Sequence, residues 1–304
     1  MSGLPPPDAI ASDVVLTLGS FDGVHRGHQR LVRRTVADAA ARAASPVVVT
    51  FDPHPRCVLD PSGCPPLLTT VQERAELLAA EGVERTVVIE FTKELSTWSA
   101  TRFCDTLLES LKVKELVVGP GFALGHGREG NESFLRKYGA EHGFSVVSVP
   151  PLTRRGRRVS SGWVRESVAA GRVGEARALL GRNYTIAGVV EHGDNRGASL
   201  GFPTANIAGV LRRCLPAVGV YATRILVGRR WRDAATSIGF RPTFGGDRLA
   251  IEAYLLDFDG DLYGEHVRLE FVRRLRGERK FRDAAALIVQ MNSDVEHTVR
   301  RLRR

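Results

Sequence analysis

Two short segments of the 304-residue chain combine residue types that could perform phosphate chemistry. The first, residues 19–28, reads GSFDGVHRGH and places two imidazoles three residues apart. The second, residues 201–206, reads GFPTAN and places a hydroxyl and an amide two residues apart. Imidazoles can stabilise charge on a phosphate, and hydroxyl and amide oxygens are suitable ligands for Mg²⁺. The sequence therefore predicts two phosphate-handling sites.

The 19–28 segment lies between a predicted strand and a predicted helix. A helix N-terminus offers backbone N–H groups and partial positive charge to a phosphate. Gly19 and Gly23 would let the backbone approach a ligand without an intervening side chain. His25 and His28 should lie on one face of the helix start, where they could stabilise charge on an α-phosphate. The segment is not a Walker A loop, because no Gly-Lys-Ser/Thr follows. The alternative interpretation is a strand–helix turn with two surface histidines.

The second segment begins at Gly201 and ends on a pair of oxygen ligands. In an extended chain, Thr204 and Asn206 face the same side, where they could hold Mg²⁺ together with phosphate oxygens. Pro203 fixes the backbone just before them, and the glycines within Gly193–Gly197 could wrap phosphates with backbone N–H groups. The alternative is a polar turn that leads into a strand.

Strands and helices alternate through the first half of the chain. The predicted strands are Val14–Leu18, Pro46–Phe51, Arg85–Phe91, Glu115–Val118 and Phe144–Val149. The predicted helices between them are Arg26–Ala44, Val71–Glu81, Ala100–Lys112 and Ser133–His142. This order predicts a parallel sheet with helices on both faces. Ligands of such a sheet bind beyond the carboxyl ends of its strands.

The pattern changes after two short helices within Ser161–Leu180. Five predicted strands follow with no helix-length segment between them: Tyr184–Glu191, Gly219–Val227, Trp231–Ile238, Leu249–Asp257 and His266–Val272. An antiparallel barrel or a sandwich fits this pattern. A final helix has one apolar face, made of Ala284, Leu287, Ile288, Met291, Val295 and Val299. We expect two domains, residues 1–182 and 183–304.

Composition restricts the class of protein. No apolar run is long enough for a membrane span, and Met1–Ala11 does not resemble a signal peptide, so we expect a cytoplasmic protein. The four cysteines show no zinc-site spacing, and we expect reduced thiols.

The net charge of +9 raises the alternative of a basic nucleic-acid-binding module. Its densest arginine run, within residues 154–158, is more typical of a solvated loop. Aromatic residues total only 7% and do not alternate with basic ones as base stacking requires. We therefore expect small-molecule partners and neither nucleic acid nor membrane. Self-association is left open.

Residues 19–28 resemble the His-x-Gly-His signature of the nucleotidyltransferase superfamily. Together with TFDPHP at residues 50–55, they resemble the adenylyltransferase half of bacterial bifunctional riboflavin kinase/FAD synthetases. The resemblance implies a Rossmann-like α/β domain of nucleotidyltransferase type, which transfers AMP from ATP to FMN and releases pyrophosphate. His25 and His28 would stabilise phosphate, and Gly19, Phe21 and Gly23 would line the nucleotide pocket.

Two glycines depart from that family's pattern. Gly121, in GPGFALG at residues 119–125, stands where the family carries Asp or Asn. Gly162, in SSGWVR at residues 160–165, stands where it carries Thr. By the resemblance, Ser161 and Arg165 would still hold phosphate. The departures leave open a nucleotide donor other than ATP, or a monofunctional riboflavin kinase whose first domain is impaired.

The string PTAN at residues 203–206 is similar to the hallmark of riboflavin kinases, and the surrounding strings follow the family's order through most of residues 181–304. The resemblance implies a small antiparallel six-stranded barrel with a terminal helix, which uses ATP to phosphorylate riboflavin to FMN. Thr204 and Asn206 would hold Mg²⁺, and Glu252 would be the general base. Arg276 and Phe281 would lie near the flavin.

One residue of the loop before this string departs from the riboflavin kinase pattern. Ala198 stands where that family often has Arg. The change would loosen a contact to phosphate.

Overall fold

The computed structural model describes residues 12–193, 200–210, 212–243 and 246–303. They form two compact units. The first ends at Ser161, and the second begins at Gly162. The division falls after the first residue of α6 (Ser161–Ala169), which is followed by α7 (Val173–Leu180). The predicted domain boundary near residue 182 falls after them and stays a prediction.

The first unit contains a five-stranded parallel sheet in the order β3-β2-β1-β4-β5. Its strands are β1 (Val14–Leu18), β2 (Ser45–Asp52), β3 (Arg85–Glu90), β4 (Val113–Val118) and β5 (Ser145–Ser148). Its helices are α1 (Arg26–Ala41), α2 (Pro55–Leu59), α3 (Val71–Ala80), α4 (Ala100–Ser110) and α5 (Glu132–His142). The predicted Rossmann-like architecture is confirmed.

Apolar cores cover both faces of this sheet, because alternate strand residues point to opposite sides. Leu16 and Val47 belong to one core, and Val15 and Val48 belong to the other. All five residues of β1 are buried. The chain leaves β1 toward β2 on one side, and β4 adjoins β1 on the other, so a crevice is expected where β1 and β4 end.

The arginine run predicted as a solvated loop forms a short hairpin, β6 (Thr153–Arg154) and β7 (Arg157–Arg158). Its residues are exposed, as expected.

In the second unit, six strands close into an antiparallel barrel in the order β10-β11-β12-β9-β8-β13. They are β8 (Tyr184–Glu191), β9 (Ala205–Ala208), β10 (Gly219–Val227), β11 (Arg230–Thr243), β12 (Gly246–Leu255) and β13 (His266–Arg276). The structure decides for the barrel over the sandwich, because β9 pairs with both β8 and β12 and so closes the sheet. The terminal helix is α8 (Ala284–Leu302).

Strand β9 was not among the five strands that the sequence pattern predicts. Its four residues, Ala-Asn-Ile-Ala, give too short a pattern to separate a strand from a turn. Its pairing nevertheless carries Asn206 into the barrel wall.

The expectation of four reduced cysteines is wrong for two of them. Cys57 and Cys64 form a disulfide, because α2 and the short 3₁₀ turn after it fold back and bring their Cα atoms to 4.2 Å. Cys104 and Cys214 are buried and are not disulfide-bonded. Within the described residues, we find no helix with the length and apolar character that a membrane crossing needs.

Candidate functional site

The first unit contains a cleft of about 650 Å³ at the carboxyl edge of its sheet. The turn after β1 lines one side with Gly19, Ser20 and Phe21, and the loop at 119–128 after β4 lines another. These are the two strands at which a crevice is expected in this topology.

His25 and His28 stack on each other at the start of α1, with ring centroids 3.6 Å apart and an interplanar angle of 18°. His25 caps the helix, because its Nδ1 accepts the backbone N–H of His28 at 3.2 Å. Nδ1 therefore carries no proton, and Nε2 is the donor of this ring. His28 lines the cleft and meets the edge of Phe21 at 5.1 Å. The prediction that the two rings share one face is confirmed by this stack.

The stack depends on Gly27 between the histidines. A Cβ at this position would lie 3.0 Å from Cε1 of His25 and 3.1 Å from its Nδ1. Since these contacts are tighter than ordinary van der Waals distances, any larger residue would press on the buried ring. The spacing His-x-Gly-His thus has a packing reason as well as a chemical one.

The buried carboxylate of Asp22 holds the turn after β1 in place. Asp22 is fully buried and accepts the backbone N–H groups of Leu68 and Thr69, and also the Thr69 hydroxyl. Its own carbonyl accepts the Ser161 hydroxyl at 2.8 Å. Gly23 lies in this supporting layer, where its N–H donates to Thr69.

Arg74 on α3 is a supporting residue that the sequence analysis missed. It is 1% exposed and donates through Nη1 to the Thr50 hydroxyl at 2.8 Å and the Phe51 carbonyl at 3.0 Å. Thr50 in turn donates to the Ser20 carbonyl at 3.1 Å, so a buried chain of hydrogen bonds holds the turn after β1. Burial lowers the pKa of Arg74, and the nearby Asp22 opposes that shift. The sequence did offer one signal of this burial, because Arg74 lies four residues before the buried Leu78 on the apolar side of α3.

The cleft has an aromatic part that suits a flat ring system. Its wall contains Phe51, Phe91, Leu95, Trp98, Phe103, Phe122 and Leu124. Such rings pack on a planar ligand over a large area. His126 borders this part, and its Nδ1 lies 3.2 Å from the Ser96 carbonyl. Because a carbonyl only accepts, Nδ1 donates here.

Two arginines also line the cleft. Arg128 donates to the Gly121 carbonyl at 2.7 Å, and Arg158 comes from β7. Arg158 was not identified as a site residue, because its charge was assigned to a solvated run. Gly121 itself has φ +69°, and a Cβ there would have no atom within 4 Å. The glycine therefore leaves this part of the cleft open.

Not every residue predicted for this site reaches the cleft wall. Gly19, Phe21 and His28 line it, whereas Gly23, His25 and Ser161 lie behind it in the supporting contacts given above. Arg165 belongs to the second unit, and its carbonyl accepts the thiol of Cys214 at 3.8 Å.

The barrel unit has its own pocket of about 240 Å³. Polar groups that line it come from Thr204, Ser237, Glu252 and Tyr254. Helix α8 supplies an apolar side with Leu287, Met291 and Val295. The predicted apolar face of the last helix thus contributes directly to this pocket.

Register brings the predicted oxygen ligands and the predicted base together. Asn206 pairs directly with Glu252 on β12 and with Glu191 on β8. Directly opposite residues share one face of a sheet. Ile251 and Ala253 are buried at 2% and 0%, so Glu252 lies on the opposite, outer face, where it lines the pocket with Thr204. Strand register therefore decides which face of the barrel Glu252 occupies.

The residues present fit a magnesium ion. Thr204 and Asn206 offer neutral hard oxygens beside the Glu252 carboxylate. Gly193 leaves room for the Asn206 amide, since a Cβ there would lie 2.1 Å from Asn206 Nδ2. Across the part of the chain that the structure describes, His, Cys, Asp and Glu form no cluster of three or more for a metal. A metal here would therefore be held mainly by neutral oxygens and phosphate.

Arg276 lines the pocket, but its guanidinium is engaged by a residue that the sequence analysis missed. Asp294 on α8 accepts from Nε of Arg276 at 3.0 Å through each oxygen and from Nη2 at 2.7 Å. The two side chains are 13% and 6% exposed. Phe281 lies under the same guanidinium, with 5.8 Å between its ring centroid and Cζ.

The other predicted residues of this segment lie at the edge of the pocket. Gly201 adopts φ +86° in the turn before β9, and Pro203 is exposed. Phe202 packs into the pocket against Tyr254, with ring centroids 5.2 Å apart. Residues 194–199, which include Gly197 of the glycine-rich turn and the departure at Ala198, lie outside the described residues.

Comparison with known proteins agrees with this architecture. The FAD synthetase family model matches residues 8–163, and the riboflavin kinase family model matches residues 180–302. The bifunctional riboflavin kinase/FMN adenylyltransferase of Escherichia coli K12 is 37% identical over 282 residues, which are 92% of this chain and 90% of the relative. That of Listeria monocytogenes is 37% identical over 286 residues, or 93% and 91%.

A solved structure gives the same result for the fold. The crystal structure of a macrolide-efflux protein from Streptococcus pneumoniae matches with a TM-score of 0.88 at 32% identity and covers 94% of each chain. Both domain families and the full-length relatives therefore agree. The chain belongs to the family of bifunctional riboflavin kinase/FMN adenylyltransferases, which phosphorylate riboflavin to FMN and transfer AMP from ATP to FMN to give FAD.

Proposed function

We propose that the cleft of the first unit performs the adenylyl transfer, with the stacked His25 and His28 at its phosphate end. The stack at the N-terminus of α1 is the observation that carries the proposal. A helix N-terminus attracts phosphate, and imidazole donors stabilise the charge that develops as the FMN phosphate attacks the α-phosphorus of ATP. The aromatic part of the cleft would hold a planar ring of the substrates.

The chain's own residues contribute mainly position and charge. The ring of His28 would donate to α-phosphate oxygens from the cleft wall, His25 would support that ring by stacking on it from behind, and Arg158 would hold the departing pyrophosphate. Arg74 and Asp22 would keep the turn after β1 in place without touching substrate. Ser161 and Arg165 stay proposed phosphate ligands from the family resemblance.

The nucleotide donor of this cleft is part of the proposal. Gly121 leaves part of the cleft open, and a lost hydrogen-bond partner can change which base is accepted. Purified protein with FMN, Mg²⁺ and one of ATP, GTP, CTP or UTP at a time would identify the donor by chromatography of the dinucleotide. We expect FAD from ATP. Failure to form a dinucleotide with any donor would contradict the catalytic assignment of this cleft.

We propose that the barrel pocket performs the riboflavin phosphorylation. Glu252 would accept the proton of the terminal ribityl hydroxyl as that oxygen attacks the γ-phosphorus of ATP. Thr204 and Asn206 would hold Mg²⁺, which when bound neutralises charge on the phosphate oxygens. The direct pairing of Asn206 with Glu252 supports this placement, because it puts base and metal ligand side by side.

A timed incubation with riboflavin, ATP and Mg²⁺ tests both sites in one reaction. We expect FMN to form first and FAD to follow. Accumulation of FMN without FAD would favour the alternative, a monofunctional riboflavin kinase whose first domain is impaired. Incubation with EDTA should abolish FMN formation, and turnover in its presence would contradict the magnesium assignment.

Three further expectations stay proposals: the cytoplasmic location, the absence of nucleic-acid binding and the domain boundary near residue 182. Self-association is also left open, and size-exclusion chromatography with light scattering would decide it.

A further inference from the structure

One hydroxyl in the barrel pocket has no part in the proposed phosphoryl transfer. It belongs to Ser237, which lies on β11 and lines the pocket. Thr204 and Glu252 already have proposed roles as metal ligand and base. Tyr254 packs with its ring against the edge of Phe202, and the ring centroids are 5.2 Å apart. The Ser237 hydroxyl is therefore available for a different contact with the substrate.

Strand register places Ser237 beside the proposed base. Ser237 pairs directly with Glu252 across β11 and β12. Its neighbours along β11, Thr236 and Ile238, are buried at 0% and 1%, so the alternation of side chains puts Ser237 on the outer face of the barrel with Glu252. The Cβ atoms of such a directly opposite pair lie about 4.5–5.5 Å apart. A ligand group next to the Glu252 carboxylate is therefore also close to the Ser237 hydroxyl.

The same row of paired residues continues around the barrel in both directions. Beyond Glu252 it reaches Asn206 on β9. Beyond Ser237 it reaches Val220 on β10, which pairs in turn with Arg276 on β13. Ser237 thus lies between the proposed magnesium ligand and Arg276, which is expected near the flavin. Riboflavin has its parts in the same order, because the hydroxyl-bearing ribityl chain joins the ring to the terminal hydroxyl that is phosphorylated.

The surroundings of Ser237 suit a chain of hydroxyls. Ala235 precedes it on the same face and lines the pocket with only a methyl group, whereas Leu287 and Met291 of α8 form an apolar side. A substrate hydroxyl that leaves water for this pocket needs a polar partner. The Ser237 side chain is exposed, and within the described residues its hydroxyl forms no hydrogen bond. Because a hydroxyl both donates and accepts, it can serve as that partner.

We propose that Ser237 is a substrate-binding residue of the barrel pocket, whose hydroxyl forms a hydrogen bond with a secondary hydroxyl of the ribityl chain. The proposal rests on the placement of riboflavin phosphorylation in this pocket. Ser237 and Glu252 then hold different hydroxyls of one ribityl chain, and the terminal hydroxyl is directed to the base. Ser237 takes no part in the proton transfer, which Glu252 performs.

The test is a kinetic comparison of Ser237→Ala with the unaltered full chain. Phosphorylated flavin, the sum of FMN and FAD, is measured by chromatography at saturating ATP and Mg²⁺, so that the assay reports on riboflavin phosphorylation alone. Loss of one neutral hydrogen bond should raise KM for riboflavin about three- to tenfold. The value of kcat should stay close to that of the unaltered protein, because the contact is present both before and during phosphoryl transfer.

Two comparisons separate a contact with the ribityl chain from packing against the flavin ring. Lumiflavin has a methyl group in place of the ribityl chain, and its inhibition constant against riboflavin should be the same for Ser237→Ala and the unaltered protein. Ser237→Thr keeps the hydroxyl and should have a KM for riboflavin near that of the unaltered protein. A lumiflavin inhibition constant that rises as much as KM, or a Ser237→Thr KM as high as that of Ser237→Ala, would overturn the proposal.

The matched control is Ser293→Ala, which removes a hydroxyl from α8 outside the pocket lining. It should leave KM for riboflavin unchanged, and Tm should be normal in every variant as evidence of folding. An unchanged KM in Ser237→Ala, or an equal rise in Ser293→Ala, would contradict the assignment. A fall in kcat at constant KM would contradict it as well, since that result places Ser237 in the chemical step and not in substrate binding. Absence of phosphorylated flavin with the unaltered protein would instead refute the proposed function of the pocket, and the assignment of Ser237 with it.

Discussion

Asp294 offers a direct test of how the barrel pocket is held in shape. Its carboxylate makes three close contacts to Arg276, of 3.0, 3.0 and 2.7 Å, and both side chains are largely buried. Asp294→Asn keeps the size of the side chain and removes its charge. The Arg276 guanidinium then stays in a site of low exposure without a counter-charge.

The expected cost is large for a single substitution. Removal of one partner from a buried ion pair costs roughly 3–5 kcal/mol, and we expect about 3 kcal/mol here because the amide oxygen still accepts one hydrogen bond. For a unit of this size, 1 kcal/mol corresponds to about 2–4 °C in Tm, so the barrel transition should fall by about 6–12 °C. Because Arg276 and Asp294 both line the pocket, KM for riboflavin should rise as well.

Differential scanning calorimetry and a riboflavin phosphorylation assay provide the measurements. The matched control is Asp257→Asn, which removes the charge from an exposed pair with Arg303, where the side chains are 82% and 56% exposed. Such pairs contribute less than about 1 kcal/mol. FAD formation from supplied FMN should be normal in both variants. A Tm shift no larger for Asp294→Asn than for Asp257→Asn would refute the reasoning.

Four further substitutions, one of them a matched control, test the proposed chemistry. Glu252→Gln should lower riboflavin phosphorylation by about 10²–10⁴-fold at unchanged Tm, and near-normal kcat would dismiss Glu252 as the base. His28→Ala should lower FAD formation from FMN by about 10²–10³-fold and leave riboflavin phosphorylation intact; an equal loss in both assays would indicate misfolding instead. Arg158→Met should raise KM for ATP in FAD formation several-fold, whereas Arg154→Met, on the neighbouring strand of the hairpin and outside the cleft lining, should not. Equal effects of the two arginine variants would indicate that Arg158 acts through the overall positive charge of the hairpin and not through a contact in the cleft.

The sequence was most informative where chemistry and local geometry coincide. His25 and His28 lie three apart on a helix start, and this spacing alone requires them to share a face. Thr204 and Asn206 likewise had to alternate with Ala205. The parallel sheet followed from the alternation of strands and helices, since such order permits few arrangements.

Supporting residues were harder to predict, because nothing in their local pattern identifies a partner. The position of Arg74 on the apolar side of α3 suggests burial but names no partner, and only the fold places the end of β2 against it. Asp294 similarly lies among apolar positions of α8, and only packing against β13 brings Arg276 to it. Strand β9 was missed because four residues give no usable period.

By itself, the sequence determined that there are two domains and what the fold class of the first is, and it located the two segments that are proposed to handle phosphate. Each of these follows from residues close together along the chain, whose relative directions are set by backbone geometry. Tertiary structure alone decided which face Glu252 occupies, which residue neutralises Arg276, and that Cys57 bonds to Cys64. These depend on strand register and chain reversal, where a shift of one residue changes every partner.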